Sequence, residues 1–313
     1  MTIPIAAYQG SLHLNCRKMQ FISYLSAINA PVELLFYNAM EKTDELFQQI
    51  VCEGKSRYQY NSSLLGKEDL ELVGIQEKAI LCKDIKQAER SIKDMIDRGK
   101  VVFIWLDQFY FAHRVYYLKN HFFHSFIISA YKQEERETFY YLHDFDPDFT
   151  GFVDENAMAK ALEYSKYPIE LVYLDYDPSA LQFAQIQSLF QDRMDRNDDT
   201  FSLYEWIFAQ VDEDMNDETL TKIDHALAMV TGSRYLLSKY LTQVKSGQAV
   251  IAQAEYIANF AQLIKNVFIK YTITRKINKE KLKKLILNLK MNEANLKNEL
   301  QNRQHKILVP KRH

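Results

Sequence analysis

A cysteine, a histidine and an aspartate, met in that order along the chain, are the residues here best suited to joint chemistry. Cys16 follows the turn-like segment GSLHLN and stands directly before an amphipathic stretch. His124 opens the run HSFIISAYK, and Asp144 and Asp146 lie at the end of the run TFYYLHDF. A thiol at a helix N-terminus beside an imidazole loses its proton more readily, because the helix dipole and the imidazolium both favour the thiolate. The imidazole takes the proton, and a carboxylate fixes the imidazole tautomer. The chemistry is nucleophilic attack on an acyl carbon. Asp144 and Asp146 are two residues apart on an extended chain, so they share a face. A hairpin folding around residues 134 to 135 brings either beside His124, and periodicity does not choose between them. Taken singly, each residue has an ordinary reading: a buried small hydrophobe for the Cys, a turn residue for the Asp. The ordered combination carries the signal.

The elements that must position these residues come in two textures. From Arg17 to Ile28 apolar residues recur with a helical period at Met19, Ile22, Leu25 and Ile28. Pro31 restarts the chain, and PVELLFYNAMEKTDELFQQIV predicts a second helix. KDIKQAERSIKDMIDRGK is amphipathic through Ala88, Ile92 and Met95, with Gly99 suited to its C-cap. VVFIWLD, HSFIISAYK, TFYYLHDF and IELVYLDYD then read as strands, the middle two as a hairpin about the polar turn QEERE. After Pro178 the spacing is helical almost to the end. Helices followed by an antiparallel sheet argue for an α+β domain over residues 1–177, with an all-helical domain over 178–313.

Composition narrows the class. The chain has 313 residues, 47% of them hydrophobic, enough for one large domain or a medium one plus a helical one. With 39 basic and 41 acidic residues, bulk charge favours neither nucleic acid nor a membrane surface. There is no apolar run of the roughly 18 residues a membrane helix needs. The first residues lack the basic start and apolar stretch of a signal peptide, so a cytoplasmic protein is expected. Three cysteines, Cys16, Cys52 and Cys82, form no CxxC and favour neither a disulfide framework nor zinc.

The run IWLDQFYFAHRVYYLKNHFFHSFIISAYKQEERETFYYLHDFDPDFTGFVDENAMAKAL, together with LHLNCRKM, resembles the N-terminal domain family of butirosin biosynthesis protein H. The resemblance implies a papain-like fold and a Cys16–His124–Asp144 triad, with Asp146 as the neighbouring alternative. It places Asp107 on a strand-end aspartate of structural role, and Gln9 near the position of a papain-like oxyanion donor. It implies transfer of an acyl group from a carrier-protein thioester to an amine acceptor in secondary metabolism. No cofactor of the chain's own is implied; phosphopantetheine arrives on an acyl or peptidyl carrier protein. The sequence departs from the pattern at Ala130-Tyr131-Lys132, where the family has Gly-Tyr-Asp, and at Asn15, where it has His. These departures keep two alternatives open: a peptidase- or thioesterase-type hydrolase, and a silent scaffold that binds a synthetase or carrier domain.

Other signals carry less. DPDFTGFVDE resembles a calcium loop, but its twelfth position is Ala157, so no metal is expected. DRNDDTFSLYEW reads as an acidic turn, with Ser202 as N-cap and Glu205 completing a capping box. His113, His121, His124 and His143 cluster in sequence without ligand spacing and read as loop histidines. The segment 275–313 holds twelve Lys or Arg against three Glu. Its apolar positions Leu282, Leu285, Ile286 and Leu289 make a packed helix, and its charge suggests a dock for an acidic carrier protein.

Overall fold

The computed structural model describes residues 4–10, 13–145, 148–164 and 169–302. The architecture is α+β, with, among the described residues, one six-stranded antiparallel sheet and a helical C-terminal region. In chain order come α1 (Cys16–Ala27), α2 (Thr43–Leu46), α3 (Lys67–Leu72), β1 (Ile75–Cys82), α4 (Ile85–Asp97), β2 (Val102–Asp107), β3 (Phe123–Glu134), β4 (Glu137–Phe145), β5 (Asp148–Asp154), α5 (Glu155–Glu163) and β6 (Ile169–Tyr176). Then follow α6 (Phe183–Asp195), α7 (Ser202–Gln210), α8 (Asp217–Gln243), α9 (Gln248–Thr274) and α10 (Lys279–Gln301). Contacts divide the chain into two compact units. The first is Met1–Gln9, Cys16–Val32 and Leu70–Leu181. The second is Gly10–Asn15, Glu33–Asp69 and Gln182–His313.

In the first unit the strand order is β1-β6-β2-β3-β4-β5. One face of the sheet carries Ile104, Leu106, Phe126, Ile128, Tyr140 and Leu142. These pack against Ala88, Ile92 and Met95 of α4 and Met158, Ala161 and Leu162 of α5. The other face takes α1, whose Phe21 and Tyr24 rings meet Phe103 edge-on at 4.7 and 5.7 Å. Gln20, fully buried on α1, bonds both the carbonyl and the hydroxyl of Ser125. The sheet holds two strands beyond those expected. β1 was not read because IQEKAILC alternates only weakly, and β5 occupies the segment that looked like a calcium loop. There Asp154 caps α5 by accepting from the Ala157 N–H.

Strands β3 and β4 form the expected hairpin, with its turn at Glu135–Arg136. The ladder runs in one register from Glu134↔Glu137 to Ala130↔Tyr141, then shifts by one residue to Ile128↔Leu142 and Ile127↔His143. Ser129 is the extra residue, and its hydroxyl lies 2.7 Å from His143 Nε2. Facing residues of an antiparallel pair share a side of the sheet, so this bulge decides which way the end of β4 points. Continued one residue, the shifted register sets Asp144 across from Phe126 and on the side of His124. The unshifted register would set it across from Ile127, on the other side.

In the second unit, segment 33–69 groups with the C-terminal helices, whereas the sequence had assigned it to the 1–177 domain. A reciprocal pair of caps explains it. Asp199 accepts from the Thr43 and Asp44 N–H groups, and Asp44 accepts from the Thr200 and Ser202 N–H groups. Two expectations change here. The single helix over PVELLFYNAMEKTDELFQQIV is instead a 3₁₀ turn over Val32–Asn38, then α2, then a π-helical stretch over Phe47–Cys52. Ser202 is not an N-cap but the first residue of α7, behind Phe201 in a left-handed conformation at φ 67°, because its hydroxyl is spent on Asp44.

The Gln20–Ser125 pair gives a direct test of what holds α1 on the sheet. Gln20→Ala leaves the buried Ser125 groups unsatisfied and costs about 2 kcal/mol of stability. Ser125→Ala added to it recovers part of the loss, since the hydroxyl no longer lacks a partner. Thermal melts of the single and double variants check this; strictly additive losses would mean that the two side chains do not interact.

Candidate active site at one end of the sheet

Cys16 is the first residue of α1, half-buried, and unpaired with any other cysteine. Its sulfur lies near the backbone N–H groups of Ser125, Arg17 and Cys16 itself. Two of these amides are the unbonded donors of a helix start, and the third belongs to β3. Burial nevertheless pushes the thiol above its ordinary pKa, outweighing the three amides, and the Asp144 charge adds to the rise. The sequence had anticipated a thiol made acidic by the helix dipole. Desolvation wins instead, and the resting sulfur holds its proton.

His124 is buried at the start of β3, one residue before the Ser125 amide that meets the sulfur. Its Nε2 donates to Asp144 Oδ1 at 3.2 Å, which leaves Nδ1 as the ring atom with a lone pair. Among the described residues no hydrogen bond joins the thiol to the imidazole. Catalytic contacts are often loose before substrate binds.

Asp144 is fully buried. Its Oδ2 accepts from His113 Nε2 at 3.1 Å and from Arg114 Nη1 at 2.8 Å. Arg114 is itself tied through Nε to the side chain of Gln108. Burial alone would raise this carboxyl, but the bonds from His113, His124 and Arg114 outweigh it. They hold Asp144 well below the usual carboxylate range. It is an anion at every ordinary pH, shared by two histidines and an arginine.

The remaining candidates sit as follows. Asp146 lies outside the described residues. Asp107 is fully buried at the end of β2 and accepts from the N–H groups of Phe109 and Phe122 and from His121 Nδ1, which stabilises the loop leading to β3. Gln9 is an exposed turn residue, and Asn15 is half-buried immediately before Cys16. The sequence reads His113 as a loop histidine and does not single out Arg114. The signal was the AHR tripeptide just after the aromatic strand end, but with four histidines nearby its partner was not legible. Among the described residues no group of His, Cys, Asp and Glu is arranged to hold a metal ion.

A cleft of about 520 Å³ adjoins this network, with Tyr110, His113, Phe149, Phe152 and Lys160 among its lining residues. His113 stacks on Phe149 with ring centroids 3.8 Å apart and planes 3° from parallel.

No family model matches the chain. It is 26% identical over 267 residues to a ribostamycin:4-(gamma-L-glutamylamino)-(S)-2-hydroxybutanoyl acyl-carrier-protein 4-(gamma-L-glutamylamino)-(S)-2-hydroxybutanoate transferase of Niallia circulans. The match covers 84% of this chain and 87% of the relative. The resemblance to the butirosin biosynthesis protein H family holds. An alignment of 267 residues is longer than the first 177 positions, so likeness to this relative continues into the helices. The relative's name states an acyl group held on a carrier protein, with ribostamycin as the other substrate.

The charge on Asp144 predicts a pH-dependent stability. Its native pKa is depressed, so its contribution is complete above the ordinary carboxylate value and is lost as pH falls toward the native one. Asp144→Asn should cost about 3–5 kcal/mol at neutral pH, because the buried donors of His113, Arg114 and His124 lose the anion they share. The gap to the parent should narrow below about pH 4. Denaturant melts across pH measure it; a gap that stays constant down to the lowest pH would contradict the assignment.

Proposed function

We propose that this protein is a cysteine-dependent acyltransferase that moves an acyl group from a carrier-protein thioester to an amine acceptor in secondary metabolism. The observation that carries the reading is the bond from His124 to the ionised, buried Asp144, one residue along β3 from the amide that meets the Cys16 sulfur. A cysteine at the start of a helix packed on an antiparallel sheet, with His and Asp on neighbouring strands, supports a papain-like reading. The relative's activity supplies the substrate class.

The chemistry follows from the protonation states. His124 Nδ1 takes the Cys16 proton as the sulfur attacks the thioester carbonyl. Nε2–H stays with Asp144, which stabilises the imidazolium. The tetrahedral adduct collapses, the carbon–sulfur bond to the phosphopantetheine arm breaks, and its thiolate leaves with the proton from His124. A neutral amine then attacks the acyl-Cys16 thioester, gives its proton to Nδ1, and the amide departs as Cys16 recovers its thiol. The chain needs no cofactor of its own for these steps.

Cys16→Ala should abolish transfer and leave stability nearly unchanged, because a small half-buried thiol contributes little packing. Incubation of the parent with a carrier-bound acyl donor should add the acyl mass to the Cys16 peptide, discharged on addition of amine. Discharge at the same rate without amine would make the protein a hydrolase. An active Cys16→Ala protein would remove the mechanism, and a parent that binds carrier but never acquires the mass would be a scaffold.

The carrier is proposed to use the basic helix α10. Much of that helix's charge is already spent inside the second unit: Lys283 pairs with Asp212, Lys290 with Glu205, and Lys297 reaches the Asp199 carbonyl. Lys281 and Lys284 are exposed. Exposed charges raise association rates and are screened over roughly 8 Å at physiological salt. Lys281→Glu with Lys284→Glu should therefore slow acylation by the carrier-bound donor at low salt and spare a small carrier-free thioester. Equal rates with both donors would dismiss α10 as the dock.

A further inference from the structure

We infer that His113 is a positioning residue of the site, holding Asp144 so that one defined oxygen faces His124; this rests on the acyl-transfer reading above. The starting point is the carboxylate's own symmetry. A buried aspartate bonded only through Oδ1 to His124 can rotate about its last side-chain torsion, which is a broad well. Such rotation would loosen the direction in which the imidazole is held. Arg114 restrains it by meeting Oδ2 through Nη1, while its Nε bonds the Gln108 side chain. His113 reaches the same oxygen by a separately anchored donor. With His113 and Arg114 on Oδ2 and His124 on Oδ1, the carboxylate is held in one orientation.

The anchoring of His113 explains why an imidazole serves here. Its ring lies flat against Phe149 of β5, edge-on to Phe126 of β3, and near Phe111, with centroids 3.8, 6.3 and 5.9 Å away. These rings fix the plane of the imidazole, and therefore the line of its Nε2–H bond. Phe126 also packs edge-on against His124 at 5.2 Å, so a single phenyl ring backs both histidines. The pair is thus held as a unit: two imidazoles against one aromatic surface, each donating Nε2–H to a different oxygen of Asp144. His124 is the member next to the Cys16-bound amide and does the proton transfer. His113 is the member turned to the cleft, and its work is geometric.

Two substitutions separate geometry from packing. His113→Phe keeps a flat ring against Phe149 and removes the donor. His113→Gln keeps an N–H donor of similar reach and removes the ring. Alkylation of Cys16 by iodoacetamide, followed on the Cys16 peptide at about pH 8, needs no acyl donor and reports how readily His124 takes the thiol proton. His113→Phe should slow this alkylation about tenfold, with the same loss in kcat and little change in KM for the thioester, as expected for a misdirected base. His113→Gln, which keeps the donor but loses the ring stacking that aims it, should recover part of that loss on both measures. If His113→Phe matches the parent, or if His113→Gln is as slow as His113→Phe, the ring serves packing alone and the inference falls. A parent that shows no transfer while His113→Phe still slows alkylation would overturn the acyl-transfer reading and leave the positioning role standing.

Discussion

The buried anion at Asp144 is the interaction on which the candidate site of this protein depends. Taking a carboxylate out of water costs several kcal/mol, and only well-directed donors offset it. Here the donors come from two stretches of chain: the loop after β2 supplies His113 and Arg114, and the start of β3 supplies His124. The same three bonds that satisfy the charge close that loop against the hairpin. The loop's next residues, Val115, Tyr116, Tyr117 and Leu118, are all exposed, so its anchorage is polar at Arg114 and aromatic at Phe111.

That network needs a particular register. The bulge at Ser129 turns Asp144 to the side of the sheet that carries His124 and Phe126, and the Ser129–His143 contact sits at the shift. Burial pulls His143 below its ordinary pKa and keeps it neutral, as suits a ring inside a sheet face. One residue of slippage would send Asp144 to the α1 side and leave His124 without its partner.

The thiol comes to the same end of the sheet from the opposite side. Ser125 turns its hydroxyl to Gln20 on α1, while His124, one residue earlier, lies on the face with Phe126. Cys16 stands four residues, about one helical turn, before Gln20 and so on the same side of α1. Burial keeps its proton on until a base removes it. Cys52, by contrast, is exposed.

Much was legible in the sequence. Cys16 before a period of 3.6, two alternating runs about a charged turn, and His and Asp at their ends predicted an antiparallel hairpin set against a helix. The α+β order and the helical C-terminal half followed from the same local patterns. These are properties of neighbouring residues, so a single chain reveals them. What tertiary structure decided was long-range. That Asp144 faces the side of His124 depends on a bulge that no periodicity marks. His113 and Arg114 find Asp144 across about thirty residues of chain, and Gln20 finds Ser125 across more than a hundred. Segment 33–69 joins the C-terminal helices because Asp44 and Asp199 cap each other's chain. The elevated Cys16 pKa also lay beyond the sequence, since desolvation is set by everything packed around the sulfur. A polar side chain in a sequence shows what it can donate or accept; which partner it meets, and how dry the meeting place is, is fixed only when distant segments are buried together.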